Sequence, residues 1–156
     1  MTLKKSLALL TALVLFCLAG TALAKTLSIG TTDLTLDVTG MKEESLTQED
    51  LEDDVVAYLY NDEVDLCIYQ YDADGYTLEE LLEECQEDEE ITQSGITDIN
   101  GIQAMYYVGT FDYDGIEYIY ITYCILWEED LVQVDFYMMD AAASQTAADI
   151  MNTLAQ

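Results

Sequence analysis

The stretch QAMYYVGTFDYDGIEYIYITYCILWEEDLVQVDFYMM, residues 103–139, decides the fold. It contains three runs rich in β-branched and aromatic residues, separated by the short segments DYDG and EED. Such runs are typical of β-strands, and connections this short join antiparallel neighbours. The sequence therefore predicts a three-stranded meander with strands over residues 103–111, 116–127 and 131–139.

The middle strand of this meander is apolar on both sides. One face carries Ile119, Ile121, Tyr123, Ile125 and Trp127, and the other carries Tyr118, Tyr120, Thr122, Cys124 and Leu126. Because successive side chains of a strand alternate between faces, this pattern indicates a strand inside a sheet that is covered on both sides.

The segments outside the meander predict further strands and helices. Apolar alternation predicts strands over residues 27–29, 34–38, 55–60, 64–71 and 96–99, the last leading into an Asn100-Gly101 turn. Capping-box patterns at Thr47 and Thr77 predict helix starts, and a further helix is predicted from about Ser144. We therefore expect an α+β fold, a single antiparallel sheet flanked by helices on both faces as an α/β/α sandwich.

The order of these elements, together with the segment Asp98-Ile99-Asn100-Gly101, resembles that of the PsbP-like group of small exported proteins. The resemblance covers the chain after residue 24. It implies a non-catalytic accessory or binding role, and it brings no shared active site to carry over.

The first 24 residues have the pattern of a cleavable export signal. Lys4 and Lys5 precede a nearly unbroken apolar run over residues 6–20, and Ala22-Leu23-Ala24 matches a small-x-small cleavage site. The alternative is a membrane anchor, but the run is short. We predict a signal peptide over residues 1–24, one α+β domain over residues 25–156, no stable membrane span after cleavage, and a periplasmic or extracellular location in a bacterium.

The charge of the remaining chain excludes several classes of function. Lys4 and Lys5 leave with the signal. The remaining chain then has two cationic side chains, Lys25 and Lys42, and 32 carboxylates, so its net charge is −30. Nucleic-acid binding needs many cationic side chains, and phosphate sites are disfavoured for the same reason. The chain has no histidine, which excludes histidine acid/base catalysis and His-bearing zinc sites. Paired carboxylates are too common here to indicate an enzyme, so we predict none.

Cys67, Cys85 and Cys124 remain after the signal is removed. All three lie in apolar segments, where cysteine usually behaves as a small buried hydrophobic residue. An odd number leaves at least one thiol free, and the sequence leaves open three disulfide pairings or none.

Carboxylates make weak binding of Ca²⁺ or Mg²⁺ one candidate function. Residues 70–81 superficially resemble an EF-hand loop, but Gln70 and Leu81 occupy the positions of the first ligand and the bidentate glutamate. The pattern is therefore a turn, and no cofactor is predicted. Asp112, Asp114 and Glu117 remain as an irregular metal site.

The helix that begins after Thr77 gives the preferred candidate site. Leu78, Leu81, Leu82 and Cys85 form its apolar stripe, and its acidic residues are Glu79, Glu80, Glu83, Glu84, Glu87 and Asp88. We expect this acidic surface to bind a cationic protein surface or divalent cations. We also expect crowding of like charges to raise the pKa values of these carboxyl groups.

Tyrosines at every second position give an alternative site. Tyr69 and Tyr71 share one strand face, as do Tyr118 and Tyr120. Aromatic side chains interleaved with polar residues are suited to stacking on sugars or anchoring a partner. The sequence thus predicts an exported, acidic, non-catalytic binding or accessory protein, and the alternative is a carbohydrate- or envelope-binding module.

Overall fold

The computed structural model describes residues 25–156. The predicted export signal lies outside these described residues. Among the helices of residues 25–156, none has both the length and the apolar character that crossing a membrane requires.

Residues 25–156 form two antiparallel sheets. The strands are β1 (Thr26–Ser28), β2 (Thr35–Asp37), β3 (Lys42–Glu43), β4 (Val55–Tyr60), β5 (Asp65–Asp72), β6 (Ile91–Ile99), β7 (Ile102–Tyr113), β8 (Ile116–Trp127) and β9 (Asp130–Met138). β1 pairs with β2, and the other strands form one sheet in the order β3-β4-β5-β9-β8-β7-β6. The predicted antiparallel meander is present, with β8 inside the sheet between β7 and β9.

Residues 25–156 contain three short α-helices: α1 (Gln48–Glu52), α2 (Leu78–Cys85) and α3 (Ser144–Met151). Thr47 and Thr77 form complete capping boxes with Asp50 and Glu80, as their spacing predicts. The prediction of an α+β fold is confirmed, and the seven-stranded sheet dominates it. The prediction of a single sheet is wrong, because β1 and β2 pair with each other in a separate two-stranded sheet.

Two element boundaries differ from the prediction by more than two residues. β6 begins at Ile91 rather than at residue 96, so the meander has a fourth strand, which pairs with residues 102–109 of β7 and has a register shift between Ile91 and Gln93. Helix α2 ends at Cys85, and Glu87 and Asp88 continue only as turns. Its last turn has no basic residue, and carboxylates near a helix C-terminus oppose the helix dipole, so extending the helix is unfavourable.

The main core lies between one face of the large sheet, helix α3 and the β1–β2 pair. Its largest fully buried side chains include Phe136 of β9, Ile125 of β8, Leu36 of β2 and Met151 of α3. Asn100 and Gly101 both have positive φ, as the predicted turn between β6 and β7 requires. The Asn100 amide also donates to the carbonyls of Asn152 and Leu154, which anchors the C-terminus.

Candidate functional site

The opposite face of the large sheet is polar and aromatic, and we call it the tyrosine face. It follows from strand alternation, because β9 presents Val134 and Phe136 to the core and Gln133, Asp135 and Tyr137 to the other side. The tyrosine face comprises Tyr69, Tyr71, Tyr107, Phe111, Tyr118, Tyr120, Thr122, Gln133, Asp135 and Tyr137. All four tyrosines of the sequence-predicted aromatic site therefore lie on one surface.

Asp135 lies at the centre of this face and is only 4% exposed. Its carboxylate accepts hydrogen bonds from the Thr122 hydroxyl at 2.7 Å, the Gln133 amide nitrogen at 3.0 Å and the Tyr137 hydroxyl at 3.1 Å. Burial raises the pKa of Asp135, and these three donors partly oppose the rise. The group is thus a buried acid that neutral donors hold in place.

The aromatic rings of the tyrosine face pack in pairs. Tyr69 and Tyr71 stack with centroids 5.8 Å apart and an interplanar angle of 9°. Phe111 stacks on Tyr118 at 5.4 Å. Tyr107 and Tyr120 meet edge to face, with centroids 6.0 Å apart at 81°. Burial raises the pKa of Tyr71 to about 12 and also raises that of Tyr107, so the hydroxyls stay protonated at neutral pH.

Helix α2 covers only part of the tyrosine face. Leu78 packs with Met105 of β7 and Cys124 of β8 in a second, smaller cluster, against which Leu81 and Cys85 also lie. This incomplete cover leaves a pocket of about 390 Å³ between the helix and the sheet. Its lining residues are Leu81, Glu84, Cys85, Asp88, Ile91, Met105, Tyr107, Tyr120, Cys124, Leu131 and Gln133. We call it the α2 pocket.

The α2 pocket brings together residues from both sequence-predicted sites. Glu84 and Asp88 come from the acidic set, and Tyr120 comes from the aromatic set. Burial raises the pKa of the Tyr120 hydroxyl, and the negative charges of Asp88, Glu90 and Asp135 raise it further. The aromatic side of the pocket at Tyr120 therefore lies in the negative electrostatic potential of several carboxylates.

The other acidic residues of the predicted partner site do not line the α2 pocket. Glu80 is part of the capping box, since its carboxylate accepts from the Thr77 backbone amide at 2.9 Å. This bond lowers the pKa of Glu80, so the predicted rise from charge crowding is wrong for this residue. Glu79, Glu83 and Glu87 are exposed.

The predicted metal residues lie on the hairpin between β7 and β8. Asp112 and Glu117 are cross-strand partners, and Asp114 occupies the turn with a φ of 52°. Within residues 25–156, no group of three or more Asp, Glu, Cys or His side chains is arranged to hold a metal ion. Weak metal binding at this hairpin stays a prediction.

The three cysteines of the described part of the chain form no disulfide: Cys67 and Cys124 are buried, and Cys85 is half-buried. Burial raises the pKa of Cys124 to about 12 and also raises the pKa values of Cys85 and Cys67. Since the thiolate is the nucleophile, these cysteines are poorly reactive at neutral pH.

Sequence reasoning missed Asp135, Gln133, Tyr137 and Tyr107. A signal for the first three was present, because residues 133, 135 and 137 are polar at period two within the otherwise apolar run 131–139. Polar side chains at alternate positions of a strand inside a sheet mark a face that is buried yet not part of the apolar core. The position of Tyr107 depends on its register with Thr122, which only the paired strands show.

No protein-family model matches the chain, and no curated protein sequence matches it. Solved structures do match. Cyanobacterial PsbP (CyanoP) from Synechocystis aligns with a TM-score of 0.64 and 10% identity, covering 88% of this chain and 94% of that chain. A Bacteroides thetaiotaomicron protein aligns with a TM-score of 0.64 and 12% identity over 85% of this chain, which spans about half (48%) of that protein.

A third similar structure is LpqN of Mycobacterium tuberculosis, described as involved in cell envelope biogenesis. Its TM-score is 0.54 at 9% identity, covering 85% of this chain and 90% of that one. None of the three is described as an enzyme. At these identities the likeness concerns the fold, and it confirms the resemblance predicted from element order and the Asn100-Gly101 turn: this chain has a PsbP-like fold.

Proposed function

We propose that this protein is an exported, non-catalytic binding or accessory protein that engages a cationic partner at the α2 pocket. The main observation behind the proposal is that Glu84 and Asp88 line the same pocket as the aromatic rings of Tyr107 and Tyr120. Carboxylates and aromatic ring faces both attract cations, and their effects add when they surround the same space.

The positions of the lysines support this proposal. Lys25 pairs with Glu43 at 2.8 Å, and Lys42 lies 5.7 Å from the centre of the Tyr60 ring, at the β3–β4 edge of the sheet. The α2 pocket lies toward the other edge, with Ile91 of β6 in its lining. Neither of these lysines lines the pocket, so they do not neutralise its carboxylates.

The fold that serves this function is, in our proposal, a helix-flanked sandwich with one incomplete layer. Helix α3 contributes Ala147 and Met151 to the main core on one face, and α2 packs against Met105 and Cys124 on the other. Because α2 has only eight residues, it covers a fraction of the tyrosine face and leaves room for a ligand.

A non-catalytic role agrees with the chemistry of the site. The pocket thiols of Cys85 and Cys124 have raised pKa values, and three hydrogen-bond donors occupy the carboxylate of Asp135. Export is supported by the pattern of residues 1–24 and by the description of LpqN as an envelope-biogenesis protein.

The binding test uses a short lysine-rich peptide and isothermal titration calorimetry at several salt concentrations. The double variant Glu84→Gln/Asp88→Asn should weaken binding by about fivefold to tenfold, because two carboxylates leave the pocket. The matched control Glu79→Gln/Glu83→Gln removes the same charge from exposed positions of the same helix outside the pocket, so it should change affinity by less than about twofold.

An equal loss of peptide affinity in the two double variants would mean that binding depends only on the net charge. The α2 pocket would then not be the binding site. Loss in the first variant alone supports the proposal.

A second candidate is the carbohydrate- or envelope-binding module. The stacked Tyr69–Tyr71 pair favours it, because two nearly parallel, partly exposed rings present aromatic surface of the kind on which sugar rings stack. Binding of neutral glycans that is lost on Tyr69→Ala, without binding of the basic peptide, would favour this function instead.

Divalent cations are the remaining proposed partners, and melting curves test them. Salt of any kind should raise the melting temperature at neutral pH by a few degrees, because screening weakens repulsion among 32 carboxylates. If the β7–β8 hairpin binds Ca²⁺, CaCl₂ should raise it more than NaCl of equal ionic strength. The variant Asp112→Asn/Asp114→Asn should remove that additional increase. Equal increases with both salts in the wild type would mean that screening is the only effect and that the hairpin does not bind Ca²⁺.

A further inference from the structure

The lining of the α2 pocket divides into two chemical regions, and this division limits what fits inside. Glu84 and Asp88 contribute carboxylates from the helix side. The floor is apolar, since it is formed by Met105 and Cys124, which belong to a buried hydrophobic cluster with Leu78. Leu81 and Leu131 complete the apolar part. A ligand that matches both regions has a charged end and a hydrocarbon body.

The charge of that end follows from the carboxylates. Glu84 and Asp88 line the pocket, and Glu90 and Asp135 are close enough to act on the Tyr120 hydroxyl. An anion would be repelled, and a neutral apolar ligand would remove water from Glu84 and Asp88 without replacing it. A cation avoids both costs.

The aromatic walls favour an organic cation over a metal ion. Tyr107 and Tyr120 meet at 81° with centroids 6.0 Å apart, so they form a corner that presents aromatic surface to a cationic group. Metal ions such as Ca²⁺ require six to eight oxygen ligands in a close shell. The pocket lining has only two carboxylates, and within residues 25–156 no group of three or more Asp, Glu, Cys or His side chains is arranged to hold a metal ion. An ammonium group is satisfied by fewer acceptors and by aromatic faces.

One further acceptor comes from Gln133. Its amide nitrogen donates to both oxygens of Asp135, at 3.2 and 3.0 Å, which fixes the orientation of the amide. The amide oxygen is therefore the atom that Gln133 offers to a ligand. An ammonium group carries three N–H donors, which match this oxygen together with the carboxylates of Glu84 and Asp88.

We propose that the α2 pocket binds an alkylammonium group, with the ammonium between Glu84, Asp88 and the Tyr107–Tyr120 corner and the hydrocarbon chain against Met105 and Cys124. This inference rests on the proposed function, because it names the chemical class of the cationic partner. The pocket volume of about 390 Å³ is in the range of small-molecule sites. The group has two sources, a free alkylamine or the side chain of a lysine on a partner protein.

The test is calorimetric titration of the purified protein with n-hexylammonium, with the neutral n-hexanol and with ammonium chloride. Hexylammonium should bind at least about tenfold more tightly than hexanol, because hexanol has no positive charge. Ammonium chloride should show no saturable binding, because the ammonium ion has no hydrocarbon chain. A blocked lysine, Nα-acetyl-lysine methylamide, tests the side-chain source. Preference for it over hexylammonium identifies a protein lysine, and the reverse identifies a free amine.

Variants locate the binding. Tyr120→Ala should weaken hexylammonium binding by about tenfold, and Tyr120→Phe, which keeps the ring, should weaken it by less than about threefold. Glu84→Gln/Asp88→Asn should also weaken it, whereas Glu79→Gln/Glu83→Gln should not. These two double variants change only exposed residues, so their result holds even if Tyr120→Ala fails to fold.

The outcomes separate this inference from the proposed function. Equal binding of hexanol and hexylammonium, or no binding of any amine while the lysine-rich peptide still binds at Glu84 and Asp88, would overturn the alkylammonium assignment and leave the function standing. Failure of the peptide as well as the amines would overturn both.

Discussion

Replacing Asp135 with alanine is expected to destabilise the protein by about 2–4 kcal/mol, because one buried donor and two half-buried donors lose their acceptor. The carboxylate receives bonds from Thr122, Gln133 and Tyr137, and both Asp135 and Thr122 are almost fully buried. Denaturant unfolding measures the change. Asp135→Asn is the matched control, since its amide oxygen still accepts and the hydroxyls of Thr122 and Tyr137 are able to accept from its nitrogen.

The same pair of proteins gives a pH dependence with a definite sign. Burial raises the pKa of Asp135 above its ordinary value of 3.8. A carboxyl group whose pKa is raised in the folded state contributes stability that is fully present below pH 3.8. That contribution is lost as the pH rises through the folded pKa. Relative to the wild type, Asp135→Asn should therefore gain stability as the pH rises from 3.8 through the folded-state pKa of Asp135, because asparagine does not ionise.

Carboxylates with lowered pKa values act in the opposite direction. Asp33, Asp37, Asp50 and Glu80 accept hydrogen bonds that lower their pKa values. Their stabilising contributions are present at neutral pH and are lost as the pH falls through the folded pKa values. Taking the difference between Asp135→Asn and wild type removes this shared background. A difference that stays constant over the whole pH range would contradict the assignment of Asp135 as a buried acid.

Replacing Gly109 with alanine is expected to destabilise the fold by about 1–3 kcal/mol and to weaken ligand binding in the α2 pocket by about tenfold, as removal of the Tyr120 ring does. Gly109 of β7 is the cross-strand partner of Tyr120 in β8. A β-carbon at position 109 would overlap the hydroxyl and Cζ of Tyr120 and would lie 2.8 Å from its Cε1. The ring would then leave the position that forms the corner with Tyr107.

A double-mutant cycle tests this coupling without reference to any ligand. In the background of Tyr120→Ala, Gly109→Ala has no ring to displace, so it should be neutral or slightly stabilising through its effect on the unfolded chain. The cost of Gly109→Ala should therefore disappear in the double variant. If the cost is the same in both backgrounds, Gly109 does not position Tyr120.

Much of the fold was predictable because local patterns and global packing agree. The two-residue period of β8, the capping boxes at Thr47 and Thr77 and the Asn100-Gly101 turn each require one local structure, and each is found. The start of β6 was not predictable in the same way. Residues 91–95, ITQSG, are a polar segment without alternation, and they become a strand because they pair with β7.

The site was predictable only in parts. In the sequence Tyr120 lies 36 residues after Glu84 and 32 residues after Asp88, and the acidic helix and the tyrosines give two independent hypotheses. The acidic and aromatic residues lie together because the apolar side of α2 packs on Met105 and Cys124. This packing places Glu84 and Asp88 in the same pocket as Tyr120. Helix periodicity indicates that these apolar residues face a core but not which part of the sheet they cover.

The buried carboxylate of Asp135 explains why the net charge alone did not predict the functional site. Of the 32 carboxylates, most are exposed and interchangeable in their effect on the net charge. Asp135 differs because a strand inside the sheet places it under the tyrosines, where a carboxylate acts on nearby groups through a medium of low dielectric constant. Its position depends on register with Cys67 and Thr122 in the neighbouring strands.

The most direct test of the α2 pocket is a residue-resolved NMR titration of the ¹⁵N-labelled protein with n-hexylammonium, recorded at constant ionic strength. We predict saturable shifts at Leu81, Glu84, Tyr107, Tyr120 and Gln133, and no comparable shifts at Glu79 and Glu83 on the exposed side of α2. Shifts spread over the acidic surface in proportion to local charge, or confined to the Asp112–Glu117 hairpin, would contradict the account.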